Sequence, residues 1–154
     1  MALPEHIHLE IVTPEKQLFS GPVDRVTVPS TLGYLGILPG HAPLLAELGI
    51  GNISYNAGER VEVTSCCWGF VEVLPERVVV LAHTAESASE IDINRAEQAR
   101  SRAEKRLASK DPGIDYARAQ IAMMRAISRI DAVKRYQHRP ARPYTGVTEP
   151  KPKK

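Results

Sequence analysis

Glycine and proline are distributed so unevenly along this 154-residue chain that they divide it into parts with different folds. Eight of the ten glycines and seven of the twelve prolines lie before residue 76. Neither residue occurs between Glu76 and Asp111, and after Pro112-Gly113 neither occurs again until Pro140. Because both residues interrupt regular structure, we predict many turns in the first part and helices in the two uninterrupted stretches.

The first part has the sequence pattern of half-buried β-strands. Apolar Ile7, Leu9 and Ile11 occupy every second position, and valines repeat the pattern at residues 61–64 and 71–74. An apolar period of two with β-branched residues is typical of strands. Breaks predicted at Gly21-Pro22, Pro29 and Gly49/Gly51, among other sites, recur every 8–12 residues or so. This spacing favours a β-sandwich or a barrel.

The second part is predicted to be an antiparallel helical hairpin. Asp92 is a candidate N-cap for a helix ending at about Leu107, with an apolar stripe at Ala96, Ala99, Ala103 and Leu107. After a turn at residues 109–113, a second helix is expected from about Asp115 to Tyr136. Its predicted apolar stripe comprises Ala117, Ile121 and Met124, with Ile127, Ile130 and Val133 beside it. Alanine buries little apolar area, so the hairpin is predicted to be marginally stable. It is either a conformational switch or an element docked permanently on the β part.

Charge follows the same division of the chain. Residues 1–91 carry a net charge of −7, residues 92–139 carry +6, and residues 140–154 carry +3. We therefore predict a β-sandwich domain at residues 1–88, a regulatory helical hairpin at 89–138 and a disordered basic tail at 139–154.

Several classes of protein are disfavoured by the sequence. No apolar run approaches ~18 residues, which argues against a membrane span, and the N-terminus lacks the features of a signal or transit peptide. We expect the protein to stay in the compartment where it is made. The adjacent Cys66 and Cys67 suit a reducing cytosol rather than a disulfide framework. His6 and His8 lack companion ligands, so no metal site is predicted. Nucleic-acid binding is disfavoured by the acidic first part and the lack of aromatic residues among the basic ones.

Arginines recur at matched spacings on both predicted helices. Arg95, Arg102 and Arg106 lie at i, i+7 and i+11, and the second helix repeats that spacing at Arg118, Arg125 and Arg129. Each set therefore occupies one face of its helix. If the two faces meet at a groove, their guanidinium groups suit phosphate oxygens. The alternative is a pair of solvated basic faces.

Two other groups of residues have open interpretations. Cys66 or Cys67 with His41 or His83 could be assembled into a thiol–imidazole catalyst, but nothing in their spacing supports it, and core packing is the favoured explanation of the cysteines. Residues 33–45 combine three glycines, two prolines and several large aliphatic residues. Such a segment forms either an exposed protein interface or an internally packed loop.

The sequence resembles the epsilon subunit of F-type ATP synthases, called delta in mitochondria. The most specific matching motif is GILPGHAPL at residues 36–44. Other matches are LEIVTPE at 9–15 with FSG at 19–21, GFVEV at 69–73 and IDINRA at 91–96. The resemblance extends over residues 3–137 in the correct order.

The resemblance implies a ten-stranded β-sandwich followed by an antiparallel αα-hairpin, in a central-stalk rotor subunit that has no catalytic activity of its own. The sandwich is expected to bind the gamma subunit and the c-ring of Fo, and so to couple ring rotation to the catalytic F1 head. Tyr34 is expected to face the c-ring and the region of His41 to face gamma. The implied interface residues are Tyr34, Leu38, His41 and Leu44.

The hairpin is implied to be regulatory. In bacterial relatives it lies folded or extends along the shaft to the alpha and beta subunits, where it inhibits ATP hydrolysis. Some relatives bind ATP when the hairpin is folded, so ATP is an expected regulatory ligand, while no cofactor is required. The matching positions in this chain are Glu86, Ile91, Asp92, Arg95, Ala96, Arg102, Arg125 and Arg129.

The chain departs from the family pattern at Trp68, where many relatives have glycine, and in its proline-rich basic tail. Trp68 is expected either to repack its corner or to add an exposed contact. Two alternative hypotheses are a nucleotide-sensing regulatory module outside an ATP synthase and a small thiol enzyme. The expected location is the cytoplasmic face of a bacterial inner membrane, reached only through the complex, with the chloroplast thylakoid as the second choice.

Overall fold

The computed structural model describes residues 2–138, which form a β-domain followed by two helices. The strands are β1 (Ile7–Val12), β2 (Gln17–Val23), β3 (Val26–Ser30), β4 (Gly33–Ile37), β5 (Leu44–Ala57), β6 (Arg60–Leu74) and β7 (Arg77–Ser87). The helices are α1 (Ile93–Ala108) and α2 (Tyr116–His138). The prediction of a β part followed by a helical hairpin is confirmed, and the predicted tail at 139–154 lies outside the described residues.

The strands hydrogen-bond in the order β2-β1-β7-β6-β5-β3-β4, and every pair is antiparallel except β1 with β7. The sheet folds over on itself into two layers. As a result, β2 faces β5, and the centroid of the Phe19 ring on β2 lies 4.5 Å from the centroid of the Tyr55 ring on β5. The enclosed core contains the alternating residues of β1, Val71 and Val73 of β6, and Val78 and Val80 of β7. The two layers therefore form the predicted sandwich.

The expected count of ten strands is wrong, because residues 2–138 contain seven. Strands β5, β6 and β7 are 14, 15 and 11 residues long, and β5 continues through Gly49 and Gly51, where we predicted a break. Strand β2 likewise continues through Gly21-Pro22, and β3 through Pro29. Proline is tolerated there because β2 is an edge strand and the β3–β5 pairing is irregular beside Pro29.

Both helices begin where a side chain caps them. The Asp92 carboxylate accepts a hydrogen bond from the Arg95 backbone N–H (3.1 Å), and Asp115 does the same for Arg118 (3.0 Å). Each cap satisfies a backbone donor of the first helical turn. The predicted start of each helix is therefore correct to within a residue or two.

The apolar stripe predicted for α2 is only partly correct. Ala117, Met124 and Ile127 are exposed, and the buried positions are Ala119, Ala126, Ser128, Ile130, Ala132 and Val133. Helix α2 packs against α1 on one side and against β5 and β6 on another. A helix that packs against two neighbours buries a broader face than a single apolar stripe covers. A prediction of one stripe therefore identifies only some of the buried residues.

Candidate functional site: a cleft at the start of helix α1

A cleft of about 380 Å³ opens where the end of β7, the start of α1 and the middle of α2 meet. It is lined by Glu86, Glu90, Ile91, Asp92, Arg95, Ala96, Ala99, Arg102 and Arg129. Its volume falls within the range of small-molecule sites, about 300–1,000 Å³. Seven of the eight residues predicted for nucleotide binding line this cleft, and only Arg125 does not.

Helical spacing brings the α1 residues to one wall. Arg95, Ala99 and Arg102 follow one another at about one-turn intervals, so they share a face. The Asp92 side chain caps the N-terminus of α1, where this wall begins. A helix N-terminus carries partial positive charge, so the wall combines that charge with two guanidinium groups.

The acidic residues of the cleft already have partners, whereas two arginines do not. Glu86 Oε2 lies 2.9 Å from Arg129 Nε, and Glu90 Oε2 lies 3.3 Å from Lys16 Nζ. Arg95 and Arg102 form no ion pair with any residue in the described part of the chain. An anionic ligand would therefore find guanidinium groups that need not leave a carboxylate partner first.

The rest of the cleft is apolar and made of small residues. Ile91, Ala96 and Ala99 supply this surface, and the alanines leave room beside the backbone of α1. Such a surface suits the flat face of a planar ring. The cleft thus combines an apolar surface with a wall that carries two arginines, beside the carboxylates of Glu86, Glu90 and Asp92.

Arg125 points to an adjoining cleft of about 280 Å³, which shares Glu86, Glu90 and Arg129 with the first. Its Nε donates a hydrogen bond to Cys67 Sγ (3.2 Å). Its guanidinium carbon lies 4.8 Å from the centroid of the Trp68 ring. The structure therefore places Arg125 next to the predicted site but outside it.

The cysteines have the environment of packed side chains. Burial raises the pKa of the Cys66 thiol from 9.0 to about 12, and the neighbouring Cys67 adds to the rise. At neutral pH the Cys66 thiol is therefore protonated and a poor nucleophile. The imidazole of His41 is engaged elsewhere, with Nδ1 lying 2.7 Å from the Ala42 carbonyl oxygen.

The four predicted interface residues fall into two places. Tyr34 lies beside the β3–β4 turn, and Leu38, His41 and Leu44 lie in and around the connection from β4 to β5. Strand β4 separates the two places by about 13 Å, at ~3.3 Å per residue. Tyr34, Leu38 and Leu44 are exposed, and His41 is half-buried.

Sequence reasoning missed an apolar patch on the solvent face of the sandwich. The outer patch comprises Leu45, Phe70 and Leu81, each more than half exposed. Phe70 on β6 pairs directly with Leu81 on β7, and Leu45 lies diagonally from Phe70 on β5. These residues stand where the strand alternation calls for polar side chains, and that mismatch is the signal that identifies them.

The exposed tip of the β3–β4 turn was also missed in part. Leu32 is 99% exposed at this turn, beside Tyr34. The Tyr34 hydroxyl accepts a hydrogen bond from the backbone N–H of Asn52 (3.2 Å). This bond holds Tyr34 against the sheet, and the turn presents the exposed Leu32 side chain beside it.

Comparison with known proteins identifies the family. The family model described as the beta-sandwich domain of the ATP synthase Delta/Epsilon chain matches residues 6–88, and that of its long alpha-helix domain matches residues 89–134. The chain belongs to the delta/epsilon family of ATP synthase subunits. The epsilon chain of Syntrophobacter fumaroxidans is 44% identical over 128 residues, covering 83% of this chain and 96% of that protein. The epsilon chain of Desulforamulus reducens is 49% identical over 124 residues, covering 80% and 94%.

A solved structure has the same fold. A chain of the Euglena gracilis mitochondrial ATP synthase, determined by cryo-electron microscopy, superposes with a TM-score of 0.75 at 20% identity. The alignment covers 90% of this chain and 85% of that one.

Family membership makes this chain a non-catalytic subunit of the central stalk of an F-type ATP synthase, as predicted. It favours the rotor hypothesis over both alternatives, the separate nucleotide sensor and the thiol enzyme. Among residues 2–138, neither helix has the length and apolarity needed to cross a bilayer.

Proposed function

We propose that the β-sandwich binds the gamma subunit through the outer patch and the neighbouring β4–β5 connection, and the c-ring through the exposed turn tip. The observation that carries this proposal is the exposed cluster of Leu45, Phe70 and Leu81 on the solvent face of the sheet. Apolar residues grouped on a solvent face mark protein contacts. Binding two rotor components at separate places lets one rigid domain transmit rotation between them.

The hairpin carries the inhibition of ATP hydrolysis in this proposal. It inhibits when it leaves the sandwich and reaches the alpha and beta subunits. The buried residues of α2 that meet the sandwich include the small Ser128, which hydrogen-bonds to Ser65, and Ala132, which packs with Val63 and Ala88, so they bury little apolar area. Release from the sandwich is therefore less costly than for a helix with large apolar anchors.

ATP is the proposed regulatory ligand of the cleft at α1, and it stabilises the folded hairpin. The phosphates would contact Arg95, Arg102 and Arg129, and the base would lie against the apolar surface. Because the cleft is lined by both the sandwich and the hairpin, a ligand in it favours the docked state by mass action.

The proposed location is the cytoplasmic face of a bacterial inner membrane, with attachment only through the complex. The bacterial sources of the epsilon chains compared above support a bacterial membrane over a thylakoid.

The decisive experiment measures ATP hydrolysis by F1 stripped of this subunit and titrated with the full-length chain or with residues 1–90. We expect inhibition by the full-length chain that saturates at one copy per F1. Residues 1–90 are expected to bind gamma without inhibiting. Failure of residues 1–90 to bind, or full inhibition by them, would refute the proposed division of labour.

The contact with gamma is tested separately by replacing one exposed aromatic residue in the sandwich and one in the hairpin. Phe70→Ala is expected to weaken binding to gamma about tenfold or more, as for a central interface residue. Tyr116→Ala removes a similarly exposed aromatic side chain from the hairpin and is the matched control. Equal affinities of the two variants would argue against the outer patch.

Calorimetry with ATP tests the cleft. Arg102→Ala is expected to weaken ATP binding roughly 10- to 150-fold, because a charge-assisted hydrogen bond contributes about 1.5–3 kcal/mol. Arg100→Ala is the matched control, since Arg100 lies on the same helix and pairs with Glu104 (2.9 Å) outside the cleft. Equal losses in both variants would indicate general electrostatic attraction instead of a site.

A further inference from the structure

Trp68 is the only tryptophan in the sequence, and Arg125 of α2 lies over its ring. The guanidinium carbon is 4.8 Å from the ring centroid, within the range of a cation–π contact. The same guanidinium donates its Nε hydrogen bond to Cys67 Sγ. Two consecutive residues of β6 therefore hold one arginine of the hairpin.

The backbone of Trp68 is unusual for a tryptophan. Its φ is +56°, and it is the only non-glycine residue with positive φ in the described part of the chain. This conformation is disfavoured for a residue with a side chain, and glycine adopts it without that cost. A glycine at residue 68 therefore suits this backbone conformation.

Arg125 is the one predicted nucleotide-site residue that the structure leaves outside the cleft. Arg125 lines the smaller cleft, which adjoins the proposed nucleotide cleft at the start of α1 and shares Glu86, Glu90 and Arg129 with it. Arg125 and Arg129 are one helical turn apart on α2 and occupy the same face. A polyphosphate near Arg129 would therefore attract Arg125 away from the indole.

We propose that Trp68 holds Arg125 outside the nucleotide cleft in the unliganded protein and that bound ATP draws Arg125 off the indole onto its phosphates. Trp68 thereby sets the ATP affinity without touching the nucleotide. The inference rests on the proposed ATP site. A cation–π contact at a partly exposed ring contributes about 0.5–2 kcal/mol, which corresponds to roughly 2–30-fold in affinity.

The single tryptophan makes the rearrangement directly observable. Full-length protein is titrated with ATP, and Trp68 emission is excited beyond the absorption band of adenine while calorimetry follows binding. We expect the emission to change with the same saturation curve as the heat. If ATP binds by calorimetry and the emission stays constant, the inference is overturned and the ATP site remains. If ATP does not bind, the proposed ATP site and the proposed role of Trp68 are both refuted.

Substitution at residue 68 tests the effect on affinity. Trp68→Gly is expected to tighten ATP binding by roughly 2–30-fold, and Trp68→Phe, which keeps a weaker aromatic face, is expected to fall between it and the parent. Unchanged or weaker binding by Trp68→Gly would overturn the inference, because it would mean that the indole supports the docked hairpin instead of competing for Arg125.

Repeating Trp68→Gly in an Arg125→Ala variant separates the release of Arg125 from a general change in the structure around residue 68. There, Trp68→Gly is expected to change ATP affinity less than twofold, since the arginine it releases is absent. An equal gain in both backgrounds would show that the tryptophan acts independently of Arg125 and would refute the proposal.

Discussion

At residue 69 the backbone of β6 leaves no space for a side chain. A Cβ built on Gly69 would lie 1.9 Å from the carbonyl oxygen of Leu81 on β7, and φ at this residue is +122°. Gly33 has the same φ but nothing within 4 Å of its Cβ position. The two glycines thus separate the cost of backbone conformation from the cost of a steric clash.

Gly33→Ala is expected to lower the free energy of unfolding by about 1–3 kcal/mol through the positive φ alone. Gly69→Ala is expected to cost at least ~2 kcal/mol more, because β6 and β7 must move apart. Urea denaturation of both variants measures the difference. Equal destabilisation would mean that the strand pair adjusts freely at this point.

The pKa values of two buried groups predict loss of stability in alkali. Burial is the main cause that raises the pKa of Cys66 from 9.0 to about 12 and that of Tyr55 from 10.0 to about 12, and Glu62 adds to the latter. Both groups are neutral when protonated, so the folded state keeps protons that the unfolded state releases. Their contribution is complete below about pH 9 and is lost as the pH rises towards about 12.

The free energy of unfolding is therefore expected to fall between pH 9 and 12, by up to about 1.4 kcal/mol per pH unit for each group. Cys66→Ala is expected to remove much of the fall that begins near pH 9, and Tyr55→Phe the part that begins near pH 10. Urea denaturation across this range is the measurement. A Cys66→Ala variant with the parent's slope at pH 9–10 would contradict the assignment.

At the scale of elements, buried polar groups help to hold α2 on the sandwich, beside an apolar contact of Ala132 with Val63 and Ala88. Ser128 Oγ lies 2.8 Å from Ser65 Oγ, 3.0 Å from the Gly51 carbonyl oxygen and 3.1 Å from Asn52 Oδ1. Asn52 Nδ2 donates in turn to Asp131 Oδ2 (2.8 Å). Both surfaces can be hydrated after separation, so this interface suits a helix that detaches without unfolding.

Ser128→Ala is expected to weaken docking of the hairpin by about 1–3 kcal/mol, because Asn52 and Ser65 lose a buried partner. Hydrogen exchange is expected to accelerate in α1 and α2 while the amides of β6 and β7 keep their protection. Ser101→Ala, at an exposed position of α1, is the matched control. Unchanged exchange in Ser128→Ala would show that other contacts hold the hairpin.

At the scale of the whole molecule, an acidic domain carries a basic hairpin. The net charges are −7 for residues 1–91 and +6 for residues 92–139. Glu86 and Arg129 form a close ion pair between the two parts, and their opposite net charges also attract one another over longer distances. Salt screens long-range attraction, with a Debye length of about 10 Å at 0.1 M and about 3 Å at 1 M.

Raising the salt concentration from about 0.05 to 1 M is expected to accelerate hydrogen exchange in the hairpin, with little change in the strands. Glu86→Gln is expected to reduce this salt dependence. Glu59→Gln, the same charge change in the β5–β6 turn, is the control. Exchange that is independent of salt would mean that charge does not contribute to docking.

Local features of this protein could be predicted from the sequence because they depend on neighbouring residues. The alternation of Ile7, Leu9 and Ile11, the cap at Asp92 and the glycine-free helices are all set by chain geometry within a few positions. The strand count was wrong because pairing to β6 carries β5 through Gly49 and Gly51, and pairing is not local.

The sequence by itself determined a β-domain followed by a helical hairpin and, through its motifs, the family. Only the tertiary structure decided which surfaces meet. It buried Ser128 instead of Met124, placed Arg95 and Arg102 in one cleft, and set Arg125 over Trp68 outside it. Residues 68 and 125 are far apart along the chain, so their contact depends on how α2 docks on the sheet, which no local pattern encodes.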